Sequence, residues 1–151
     1  MTPFDAASPF DARYYFADAG FYQRLHPFVS EGAQVSYLAR VEAALAETLA
    51  DFGVCSRGIA AEIAAACRQV KPDEVYEEER RIQHNIRALV NCIKRPLSKE
   101  AQPYVHLFAT SADIMDTARA LCLAEVARQV ILPDLAQLEA RLIRLARAHA
   151  D

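Results

Sequence analysis

Several features that mark other classes of protein are missing from this sequence of 151 residues. No apolar run approaches the roughly 18 residues that a membrane-spanning helix needs. The amino terminus has no basic segment followed by an apolar one, which a signal peptide would carry. The four cysteines are widely spaced without a Cys-x-x-Cys pair, so neither a zinc site nor a disulfide framework is indicated. The sequence therefore predicts a cytoplasmic protein with no metal and no other cofactor.

Basic charge and glycine are also scarce. The net charge is −3 with both signs interspersed, whereas a dedicated nucleic-acid binder usually carries a basic stripe. We therefore expect neither nucleic acid nor a membrane as a partner. Only four glycines occur, all before position 59, and the second half of the chain is rich in Ala, Leu, Arg and Glu. Because no segment alternates like a β-strand, the sequence predicts an all-α fold.

The spacing of apolar residues predicts where the helices lie. The predicted helical spans are 18–26, 30–52, 57–69, 72–93 and 111–149, with a loop over 94–108. In the 30–52 helix the apolar stripe is Val35, Leu38, Val41, Leu45, Leu49 and Phe52. Gly53 stands where a left-handed cap ends that helix, and Ser56 caps the next one.

His84 lies inside the predicted helix 72–93 but away from its apolar stripe. At 3.6 residues per turn, His84 lies about 200° round the helix from Ile82. One interpretation is a solvated pair of His84 and Asn85. The other is that both face a binding site, where a histidine offers a proton that titrates near neutrality. The same helix carries a favourable pair of Glu77 and Arg81 at a spacing of four.

The stretch from His106 to Asp113 begins as a loop and becomes a helix. Thr110 with Asp113 matches a capping box, and Ser111 follows at the first helical position. The free N–H groups and the positive dipole end of a helix start suit a phosphate or a carboxylate. The alternative is that these residues merely cap the helix.

The last predicted helix is longer than the domain that carries it. A helix of this length spans about 55 Å at 1.5 Å per residue, whereas a compact domain of this size measures about 40 Å across. It stays apolar at Leu135, Leu138, Leu142 and Leu145, and Pro133 should kink or restart it. The sequence therefore predicts helical partners, either from another subunit or from a continuation of the chain.

Three blocks in order resemble one family. They are Ser8-Pro-Phe-Asp-Ala-Arg-Tyr14, Gln83-His-Asn-Ile-Arg-Ala-Leu89 and the His106-x-x-x-Thr110-Ser111-x-Asp113 stretch. Together they resemble the amino-terminal part of the adenylosuccinate lyase family, in the fumarase/aspartase superfamily. The resemblance covers nearly the whole chain, and it divides it into an N-terminal helical domain (1–107) and the first long helix of a central bundle (108–151).

The resemblance implies a reaction and a set of ligand contacts. The family releases fumarate from succinylated nucleotides by anti β-elimination, in two steps of purine biosynthesis. Arg13 and Tyr14 would hold the nucleotide phosphate, and Thr110 and Ser111 a succinyl carboxylate. Gln83, His84 and Asn85 would line the substrate site, His84 in a supporting role. The family's homotetramers also imply self-association through 112–149.

Two departures from the family pattern qualify this resemblance. Asn85 stands where the family usually has Asp, and a neutral amide adds no charge beside His84. The family's Thr-His block and its Ser-Ser-x-Met-Pro-x-Lys loop, which supply acid and base, have no counterpart in these residues. We therefore expect no complete catalytic set and no activity from this piece alone. The alternatives are a non-catalytic helical association module, or a superfamily lyase for another carboxylated substrate.

Overall fold

The computed structural model describes residues 19–150, and within them the chain forms helices and no β-strand. The helices are α1 (Ala19–Val29), α2 (Glu31–Asp51), α3 (Arg57–Gln69), α4 (Pro72–Ile82), α5 (Asn85–Lys94) and the long α6 (residues 111–148). The α6 helix comprises Ser111–Val126, a π-helical turn over Ala127–Ile131, and Leu132–Ala148. A short 3₁₀ turn, Gln102–Tyr104, interrupts the loop before it. The all-α prediction with one very long final helix is confirmed.

Local capping determines several of the helix boundaries. The Ser30 hydroxyl accepts the Ala33 N–H at 3.1 Å, and the Ser56 hydroxyl accepts the Ile59 N–H at 3.2 Å. Gly53 has a φ of 71° and ends α2 in the left-handed conformation that glycine tolerates. The capping residues expected from the sequence are therefore confirmed at both ends of the α2–α3 connection.

The predicted continuous helix over 72–93 is wrong. The chain leaves the helix at Gln83, whose φ of 57° is left-handed, and His84 caps a new helix. The helices α4 and α5 then pack against each other. Each helix keeps its own apolar face, so residues on the two sides of the break still show helical spacing. Periodicity alone therefore did not reveal the turn.

The helix α2 lies at the centre of the fold and contacts α1, α3, α4 and α6. The largest fully buried apolar side chains around it are Ile63, Ile86, Leu89, Ile93, Ile114 and Val90. The first half of α6 belongs to this core through Ile114, Ala118 and Cys122. The Tyr37 hydroxyl donates to Glu125 at 2.7 Å and joins α2 to α6. The division at 107/108 stays a prediction, since the start of α6 packs with the residues before it.

The second half of α6 has a different environment. Its last segment, Leu132–Ala148, contains no buried residue, and its leucines stay about half exposed. Arg24 of α1 holds Asp134 through two contacts of 2.6 and 2.9 Å at the start of that segment. The π turn ends at Ile131, two residues before Pro133, and the N–H that proline lacks disturbs the helical bonding there. Within residues 19–150 no helix is long and apolar enough to cross a membrane.

Candidate anion site at the start of the long helix

The start of α6 has the geometry that its sequence predicted. The Asp113 carboxylate accepts the Thr110 N–H at 2.8 Å and the Thr110 hydroxyl at 3.0 Å, within a capping box. Hydrogen bonds from the Thr110 backbone and side chain hold the pKa of Asp113 below its usual range. Asp113 therefore stays ionised near neutrality and holds Thr110 in its capping position.

This arrangement distinguishes Thr110 from Ser111 as ligand contacts. The Thr110 hydroxyl is already used by Asp113, whereas the half-buried Ser111 makes no side-chain hydrogen bond within residues 19–150. The N–H groups of Ser111 and Ala112 occupy the first helical positions, which have no acceptor inside a helix. These donors, rather than the Thr110 hydroxyl, are the groups suited to an anion.

The second block occupies the break between α4 and α5. Gln83 donates its side-chain amide to the Arg80 carbonyl at 2.8 Å. The His84 Nδ1 accepts the Arg87 N–H at 3.2 Å, so that His84 is the N-cap of α5. All three side chains of the Gln83–His84–Asn85 segment are exposed. His84 thus has a structural role, and its Nε2 remains available to a ligand.

Replacing His84 by alanine should lower the free energy of unfolding by about 1 kcal/mol, because the N-cap acceptor is lost. Thermal unfolding followed by circular dichroism should show a fall in Tm of about 2–4 °C. His84→Asn is the matched control, since asparagine also caps and should keep Tm near the wild-type value. Equal Tm losses in the two variants would contradict the capping role.

One contact joins the second and third blocks. The Asn85 side-chain amide lies 3.6 Å from the Met115 Sδ, one turn along α6 from Ser111. Asn85 and Met115 also line a cavity of about 190 Å³ that Glu31, Tyr76 and other residues complete. The segment around Asn85 is therefore brought to the face of α6 that carries Ser111.

A polar cluster around the buried Glu78 lies beside the α4–α5 break. Glu78 of α4 accepts hydrogen bonds from Arg81 at 2.7 Å, from Asn91 at 2.7 Å and from Arg95 at 3.1 Å. These hydrogen bonds lower the pKa of Glu78 to about 2, and the bond from Arg81 has the largest effect. The ion pair found for Arg81 is therefore with Glu78, three residues away, rather than with the expected Glu77. The cluster links α4 to α5 across the turn at Gln83.

The structure also brings together two residues that the sequence did not pair. Glu42 is 1% exposed, and its Oε1 lies 2.7 Å from the His106 Nδ1. The predicted stripe of α2 included Phe52, which is 81% exposed, and omitted Glu42. The sequence did contain a signal for the burial of Glu42. This residue lies four positions from both Leu38 and Ala46, on the face of α2 that is buried.

The remaining site residues, Arg13 and Tyr14, lie outside the described residues. Their expected contact with a nucleotide phosphate stays a prediction. Within residues 19–150 no group of three or more His, Cys, Asp or Glu side chains could hold a metal ion.

Comparison with known proteins places the chain in a family. The lyase family matches residues 21–151. The adenylosuccinate lyase of Archaeoglobus fulgidus is 38% identical over 122 residues, which cover 81% of this chain and 25% of that protein. The adenylosuccinate lyase of Pyrococcus horikoshii is 34% identical over 146 residues, which cover 95% of this chain and 31% of that protein.

A solved structure agrees with these relatives. The fumarate lyase from Mesorhizobium sp. BNC1 aligns with a TM-score of 0.75 and 29% identity, covering 95% of this chain and 33% of that one. The chain belongs to the lyase family, in the fumarase/aspartase superfamily. Within it, the sequence is adenylosuccinate lyase-like over most of its length. It spans about a quarter to a third of the length of the curated relatives it matches.

Proposed function

We propose that these residues form the amino-terminal part of an adenylosuccinate lyase-type enzyme. Such an enzyme cleaves adenylosuccinate to AMP and fumarate, and the related succinyl-carboxamide ribotide to the carboxamide ribotide and fumarate, by anti β-elimination in purine biosynthesis. A base removes a proton beside a carboxylate, and an acid protonates the leaving nitrogen. On this proposal, the present residues bind the substrate, and both proton transfers need groups that they do not include.

The observation that carries this proposal is the start of α6. The Ser111 hydroxyl and the N–H groups of Ser111 and Ala112 are not used by the capping box, so they can bind a succinyl carboxylate. Asn85, which reaches the same face of α6 through Met115, supports a substrate site between the two segments. Arg13 and Tyr14 would hold the nucleotide phosphate, with arginine suited to a forked contact. Gln83 and His84 would line the site beside Asn85.

The carboxylate site can be tested with fumarate, the smallest part of the proposed substrate. In nuclear magnetic resonance titrations of the ¹⁵N-labelled chain, fumarate should shift the amide signals of Ser111 and Ala112. Ser111→Ala should raise the Kd for fumarate about tenfold, because a hydrogen bond to a charged group is lost.

The control for this titration is Ser36→Ala, which changes an exposed serine of α2. It should leave the Kd for fumarate unchanged. Absence of any shift at Ser111 and Ala112, or an equal loss in both variants, would contradict the carboxylate site. Normal fumarate release from adenylosuccinate by the chain alone would contradict the proposal that both proton transfers need groups outside these residues.

A second candidate is a non-catalytic association module with the same fold. It is favoured by the half-exposed leucines of Leu132–Ala148, which suit packing against other helices. We propose that this segment associates with further copies of the chain, as in a homotetramer around a helical bundle.

Thermal unfolding in the presence of AMP distinguishes the two candidates. AMP should raise the Tm of the chain if the nucleotide site is present, and it should leave the Tm of a module that only associates unchanged. The third candidate, a lyase for another carboxylated compound, predicts a fumarate response without an AMP response.

A further inference from the structure

The contact between Glu42 and His106 has features that an ordinary core contact lacks. Glu42 is almost fully buried, and its Oε2 has no hydrogen-bond partner among the described residues. His106 has a φ of 64°, a left-handed backbone conformation that is uncommon outside glycine. A buried carboxylate with an unused oxygen is costly for a protein, and strained backbone clusters at functional sites. The contact therefore joins the buried face of α2 to the loop that leads into α6.

The contact occupies one of the two ring nitrogens of His106. The Nδ1 lies at 2.7 Å from Glu42, and the His106 side chain retains 19% exposure. Within residues 19–150, the Nε2 of His106 has no hydrogen-bond partner. His106 also lies four residues before Thr110, the N-cap of α6. Its Nε2 is therefore the nitrogen left for a ligand near the start of α6.

The cations around Glu42 favour a carboxylate that accepts from His106, whereas burial acts against it. Burial has the largest effect and raises the pKa of Glu42, while the hydrogen bond with His106 and the charges of His106 and Lys94 lower that pKa. Burial also raises the pKa of the neighbouring Cys67 thiol to about 12, so Cys67 adds no negative charge. The groups that interact electrostatically with Glu42 thus include two potential cations, His106 and Lys94, and one neutral thiol.

We propose that Glu42 is a positioning residue that keeps a proton on the Nδ1 of neutral His106 and leaves Nε2 to contact a ligand at the start of α6. An acceptor on one ring nitrogen selects the tautomer of a histidine and fixes the ring orientation. The unprotonated Nε2 accepts a hydrogen bond from a donor group of the ligand. When Nε2 takes up a proton, it becomes a donor to a carboxylate, and Glu42 balances the charge. The chemical nature of the ligand rests on the proposed function, whereas the tautomer assigned to His106 rests only on its contact with Glu42.

The experiment measures the ¹⁵N shifts of the histidine ring nitrogens in the chain, at a pH where the imidazoles are neutral. His106 should be the Nδ1–H tautomer. His84 is an internal reference, since its Nδ1 accepts the Arg87 N–H and its neutral form must carry the proton on Nε2. Glu42→Gln should lower the ratio of Nδ1–H to Nε2–H at His106 about tenfold or more, the factor for losing a bond to a charged group.

The matched control is Glu47→Gln, which changes an exposed carboxylate on the same helix and should leave the His106 signals unchanged. A wild-type His106 in the Nε2–H form overturns the proposal, and so does a Glu42→Gln spectrum equal to the wild type. If Glu42→Gln does not fold, the wild-type tautomer still decides between these results. The fumarate titration tests the proposed function separately: an Nδ1–H tautomer without a fumarate response supports the role of Glu42 and contradicts the carboxylate ligand.

Discussion

Ile63→Ala should lower the free energy of unfolding by about 2–5 kcal/mol. Ile63 is fully buried on α3, in the cluster that packs α3 against α2. Its truncation removes apolar contacts and leaves a cavity that the surrounding helices fill only in part. Since a domain is stabilised by about 5–15 kcal/mol in total, this loss is a large fraction of the whole. Urea denaturation followed by circular dichroism measures it.

Phe52→Ala is the control for the core substitution. The apolar stripe read from the sequence placed Phe52 on the buried face of α2, whereas the structure leaves it 81% exposed at the end of that helix. An exposed substitution of this kind should change the free energy of unfolding by less than about 0.5 kcal/mol. A loss from Phe52→Ala as large as that from Ile63→Ala would contradict the assignment of the α2 faces.

Leu138→Glu combined with Leu145→Glu should abolish the proposed self-association. Both leucines are more than half exposed and share the four-three seam of the last segment of α6. Burying two carboxylates in a helical interface costs more than the apolar contacts supply. Light scattering should give an oligomer for the wild type and the 16.8 kDa chain mass for the double variant. Because the two carboxylates oppose burial in every copy of the interface, this effect is expected to be large.

The charge-matched control is Ala136→Glu combined with Ala140→Glu. These two positions lie on the opposite side of the same helix, at 100° per residue, and both are exposed. The control variant should remain oligomeric. A wild-type chain that stays monomeric at high concentration would contradict the proposed assembly, and equal masses for the two double variants would contradict the leucine seam as its interface.

Local signals in the sequence predicted much of the candidate site. The Thr110–Asp113 capping box depends on residues three apart, so its bonds follow from short-range geometry. Ser30, Gly53 and Ser56 were predictable for the same reason. The break at Gln83 was not predictable from the sequence. Residue 83 is not glycine and is not followed by proline, and the helical spacing of apolar residues continues on both sides of the break. Packing of α4 on α5, with Glu78 bonded to Arg95, favours that turn over a continuous helix.

The sequence by itself determined the all-α class, the capped start of the long helix and the leucine seam near its end. These depend on composition and on spacings of three and four residues, which short-range physics controls. Only the tertiary structure decided that Glu42 meets His106 and that Asn85 meets α6 at Met115. These contacts join residues 64 and 30 positions apart, so they depend on how helices pack, which no local pattern records.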